Sequence, residues 1–94
     1  MKYTQIGQRG RSVTDRELQH IITKARDAKH GGFGVLSTGE KLAAALVLNR
    51  PDWLGEMNYT LAEAIERVGP QWLALIPEAA RVLEYEDEHV AGKA

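Results

Sequence analysis

Three helix-start signals divide this chain. They are Thr14-Asp15-Arg16-Glu17, Ser37-Thr38-Gly39-Glu40 and Thr60-Leu61-Ala62-Glu63. In each, a hydroxyl can accept from the amide three residues on, while the glutamate reaches back to the cap amide. An apolar segment follows each signal. The fold class predicted is therefore mainly α, a compact bundle of four or five short helices. The caps begin 23 residues apart. The residues after them do not match, so the spacing is helix plus loop rather than a repeat.

The first helix is expected from about Asp15 to Lys29. Leu18, Ile21, Ile22 and Ala25 form one apolar stripe, and Gly31 is a natural residue to end it. The second is expected from about Thr38 to Leu48. Its run Leu42-Ala43-Ala44-Ala45-Leu46-Val47-Leu48 is apolar on every side. A helix without a polar face is surrounded by protein, either as the centre of the fold or in a homodimer interface. Asn49-Arg50-Pro51 closes it. A third helix starts at Thr60, with Leu61, Ile65 and Val68 on one side, and Gly69-Pro70 gives a stop and a restart. Pro77 either kinks the last helix or begins it. Phe33 to Leu36 is short and apolar, and the pattern allows a two-stranded β ribbon pairing residues 2–6 with 33–36.

The domain plan follows from composition. Residues 1–13 are polar and basic, with Gly7 and Gly10, and read as a flexible arm. Residues 14–86 form one helical domain, and 87–94 form an acidic, fraying tail. Hydrophobic content of 44% supplies a single core. Residues 1–30 hold seven basic and three acidic side chains, whereas 31–94 hold five and ten. Such a split marks either an interaction arm or two parts that attract each other when folded.

Several function classes lose support. With no cysteine, thiolate catalysis and thiolate metal sites are excluded. His20, His30 and His89 have no metal-ligand spacing, so neither metal nor cofactor is expected. Gly34-Val35-Leu36-Ser37-Thr38-Gly39-Glu40-Lys41 resembles a phosphate loop, but Glu40 stands where the lysine belongs and would repel phosphate. Asp52 and Glu56 flank Trp53, yet no nucleophile or oxyanion donor accompanies them in the sequence. No apolar run is long enough to span a bilayer and the start lacks an apolar signal core, which leads to the expectation of a cytoplasmic protein.

Two functional readings remain. The first is a small non-enzymatic protein-interaction or regulatory protein, with Trp53, Leu54 and Met57 as the partner-binding patch if they are exposed together and not folded back onto the core. The second is a nucleic-acid-binding accessory protein, with Arg9, Arg11, Arg16 and Lys24 on phosphates.

The stretches LSTGEKLAAALVLNRPDWL and YTLAEAIERVGPQWLALIP, within Phe33 to Leu83, resemble small proteins of proteobacteria, Burkholderia-type species among them. No activity attaches to that motif. The resemblance implies a cytoplasmic bacterial protein and brings no catalytic residues.

Overall fold

The computed structural model describes the backbone of residues 2–93 and the side chains of residues 15–87. The described residues hold six α-helices: α1 (Lys2–Asp27), α2 (Thr38–Val47), α3 (Pro51–Glu56), α4 (Leu61–Val68), α5 (Pro70–Leu73) and α6 (Ile76–Lys93). A π turn at Ala28–Gly32 and a 3-10 turn at Phe33–Val35 join α1 to α2.

Two of the three cap signals form as the sequence predicts. Ser37 Oγ accepts the Glu40 amide at 3.2 Å, and Glu40 Oε1 accepts the Ser37 amide at 3.0 Å. Thr60 Oγ1 accepts the Glu63 amide at 3.1 Å, and Glu63 Oε1 accepts the Thr60 amide at 3.0 Å. Each reciprocal pair satisfies two amides that the helix itself cannot. Replacing Ser37 with alanine is expected to cost about 1 kcal/mol, read by chemical denaturation. A cost near zero would mean that tertiary packing alone sets the start of α2.

Thr14 does not start a helix. The backbone is helical from Lys2, so Thr14 lies inside α1. No proline precedes it, and once a helix is nucleated each further residue adds one bond. The β ribbon is also corrected. Residues 2–6 belong to α1 and Phe33–Val35 to a 3-10 turn, and no strand occurs among the described residues. Of residues 33–36 only Leu36 is extended, and Ser37 after it, also extended, caps α2. Side chains of the expected basic arm and of residues 88–94 lie outside the described residues. The backbone of α6 runs on through the expected tail to Lys93.

α1 ends where expected. His30 and Gly31 leave helical geometry, and Gly31 takes φ +100°, which L side chains disfavour. Pro77 is the second residue of α6, in a first turn that has no intrahelical use for its missing N–H.

The position of α2 explains its all-round apolar sequence. One side, through Ala44 and Val47, joins Ile21, Ile22 and Ala25 of α1 and Ala79 and Leu83 of α6. The other side, through Leu42 and Ala45, joins Leu54 of α3 and Ala64 of α4. α2 is thus the wall shared by two apolar clusters. It is not sealed everywhere, since Leu46 and Leu48 are only half-buried. Helix α2 packs between α1 and α6 on one side and α3 and α4 on the other, leaving its C-terminal end at the surface.

Candidate functional site

The expected partner patch is not an exposed surface. Leu54 is buried, and Trp53 and Met57 are half-buried against the core. The connection that carries them is helical, because Pro51 pre-sets the first turn of α3. That turn swings Leu54 inward. Trp53 touches the Phe33 ring, at 4.4 Å between centroids, and carries the Arg50 guanidinium 4.4 Å from its ring centroid. Arg50 also holds Asp52 with two bonds, 3.1 and 2.8 Å. The Arg50 hydrogen bond keeps the Asp52 carboxyl below the usual carboxylate range, and Asp52 raises Arg50 in turn. An exposed pair of this kind, each partner favouring the other's charged form, is a surface ion pair and is poorly suited to moving protons.

The nucleic-acid candidates divide in two. Arg16 and Lys24 line one shallow concavity on α1 with Gln19, His20 and Thr23. Side chains of Arg9 and Arg11 lie outside the described residues. The stripe is not purely basic. Asp15 sits at its start, and His20 Nε2 meets Glu40 Oε2 at 2.8 Å. The Glu40 carboxyl is lowered chiefly by the Ser37 amide, then by the His20 hydrogen bond and the nearby Lys24 charge. The His20 ring also lies 5.7 Å from that of Trp72, so this residue ties α1 to both α2 and α5.

A pH dependence follows from Glu40. A carboxylate held below its unfolded value stabilises the fold fully above that unfolded value, and loses the contribution as pH falls through the lowered one. Acidification through the carboxylate range is therefore expected to weaken the fold. Glu40→Gln should flatten that part of a stability-versus-pH curve. An unchanged curve would remove Glu40 as a contributor.

The charge split is partly resolved within the fold. Arg26 of α1 grips Glu86 of α6 with bonds of 3.3 and 2.6 Å, and Lys29 pairs with Asp87. The Arg26 contact lowers the Glu86 carboxyl. These pairs are substantially exposed and add little stability each. They do fix where the basic end of α1 meets α6.

Two surface features were not legible as sites from the sequence. The first is on α4. Leu61 and Ile65, one turn apart, are 58% and 41% exposed, while Ala64 of the same helix is fully buried. The sequence places Leu61, Ile65 and Val68 on one side. The core takes the edge of that stripe where Ala64 lets α4 come close to Leu42 and Ala45. The signal was an alanine beside two larger apolar residues. The second feature is an open groove of about 420 Å³ between the end of α2 and α6, floored by Leu46, Val47 and Leu83 and rimmed by Glu84 and Asp87.

Among the described residues, no three histidine or acidic side chains gather as a metal site, and no helix is long and apolar enough to cross a membrane. Comparison of the chain with family models, with curated proteins and with solved structures finds no match.

Proposed function

We propose that this chain is a non-enzymatic protein-interaction or regulatory protein of the bacterial cytoplasm, and that α4 is the surface that meets its partner. The observation that carries this reading is the inverted use of α4, with the alanine inside and Leu61 and Ile65 outside. Large apolar groups side by side in water are costly, at roughly 25 cal/mol per Å². Burial against an apolar helix face of another protein would recover that energy. Glu66 follows Ile65 on the outward flank and favours a partner with a basic residue beside its apolar face.

A photoreactive side chain at position 61 or 65 tests this in bacterial cells, with position 35 as a control, since Val35 is more exposed still at 89%. A discrete protein cross-linked from 61 and from 65, absent from 35 and lost when the other of the two apolar positions is changed to serine, is the expected result. Equal, diffuse cross-linking from all three positions would overturn it.

The nucleic-acid reading has one supporting observation, the shallow concavity that exposed Arg16 and half-buried Lys24 line together. Glu40, close to both His20 and Lys24, weakens it. If it holds, affinity falls steeply with salt, and replacing Arg9 and Arg11 together flattens the salt slope by about two. No binding in a fluorescence titration at low salt would end this reading.

A further inference from the structure

We infer that the groove between α2 and α6 receives the basic N-terminal segment of a second copy of this chain, so that two copies exchange their first helical turns in a reciprocal dimer. This surface is separate from the α4 edge and does not depend on that reading.

Three properties of the groove specify its occupant. Its floor is apolar, with Leu46 and Leu48 left half-buried by the chain's own packing. Its rim is acidic. Lys29 engages Asp87, but Glu84 has no ion-pair partner among the described residues. Its end is the C-terminus of α2, at Leu48 and Asn49, where the aligned carbonyl groups favour a cation. An occupant that combines apolar side chains with positive charge satisfies all three. Residues 2–13 have that composition. Lys2, Arg9 and Arg11 are cationic, no acidic residue accompanies them, and Tyr3, Ile6 and Val13 recur at three- and seven-residue spacing.

The helix excludes the same chain's own segment. Arg26 of α1 is fastened to Glu86, beside the groove rim. α1 is continuous from Lys2 to Asp27. At about 1.5 Å per residue, Arg11 lies about 22 Å and Lys2 about 36 Å along the axis from Arg26. α1 therefore carries its basic start away from its own groove and delivers it to a neighbour. If each copy gives a segment and receives one, the contact is two-fold and closed.

Charge reversal tests the pairing. Sedimentation of the full chain at high micromolar concentration should show a dimer that weakens with added salt, as opposite charges are screened. Glu84→Arg alone, and Arg9→Glu/Arg11→Glu alone, should each weaken self-association by at least about tenfold. Mixed in equal amounts, the two variants should recover a dimer, because each positive segment then meets a negative groove and the reverse. Residue 84 is exposed, so helix content read by circular dichroism should not change. A monomeric parent chain overturns the inference. So does a dimer indifferent to both reversals, which would point to the α4 edge and respond to Leu61→Ser/Ile65→Ser. Loss in both variants without recovery on mixing also overturns it, since the segment and the groove would then not be each other's partners.

Discussion

Leu42→Ala is expected to lower the free energy of unfolding by about 3–5 kcal/mol, the upper range for a leucine truncated in a core that cannot collapse. Leu42 is fully buried, with Ala45, Leu54 and Ala64 around it. That cluster joins α2 to two helices that are short: α3, through Leu54, has six residues and α4, through Ala64, has eight. Helices of that length have almost no stability of their own and depend on tertiary contacts. Two of the three other buried residues of that cluster are alanines, whose side chains are too short to fill the space left. Stability of a small domain is only about 5–15 kcal/mol, so this one change removes a large share. The melting temperature should fall by about 4–8 °C for each kcal/mol lost. Leu61→Ala on the exposed side of α4 should stay within about 0.5 kcal/mol. Equal costs at the two positions would mean that α4 is rotated from the orientation described, and the proposed partner surface would fall with it.

The contrast between those two leucines shows what the sequence could and could not convey. Local chemistry was legible. The Ser37 and Thr60 boxes, the glycine at position 31 and the break before Pro51 each depend on residues within one helical turn. The centrality of α2 was legible too, because a helix apolar on all sides has few places to go. Thr14 carries the same local signal and is not used, since a cap marks a start only where the preceding chain is not already helical. The β ribbon failed for a related reason. Three apolar side chains and a glycine do not make a strand when a cap follows directly behind them. What stayed hidden were the choices made between helices. Trp53, Leu54 and Met57 could fold back onto the core or, if exposed together, form a patch, and the turn of α3 decided for core. The stripe on α4 is wider than the contact that α2 offers, and the small size of Ala64 determined which edge went in. The groove rim depends on Glu84 and Asp87 meeting the end of a helix some forty residues earlier, a juxtaposition no local pattern records.

The backbone at Gly69 should be nearly as sensitive as the core, and for an unrelated reason. Gly69 sits at φ +89°, ψ 160°, between α4 and α5. That combination is open almost solely to glycine. A Cβ there would meet nothing within 4 Å, so the cost of a side chain is conformational and not steric contact with neighbours. Relaxation is blocked on both sides. The Gly69 amide donates to the Ile65 carbonyl at 3.1 Å, and its own carbonyl accepts the Leu73 amide at 3.0 Å. Pro70 further requires an extended ψ at the residue before it, and 160° meets that demand. Gly69→Val should therefore cost about 2–3 kcal/mol, at the upper end for one strained residue. Gly39→Ala provides the opposite sign. Gly39 lies in the first turn of α2 with ordinary helical geometry and open space around its Cβ position, so alanine there should add about 0.5–1 kcal/mol. Both are measured by equilibrium denaturation, with an unchanged slope against denaturant showing that the same folded state is compared. A harmless Gly69→Val would require α5 to leave α4 by another path. Trp72, which α5 brings to His20, would then lose its place at the junction of α1 with α2.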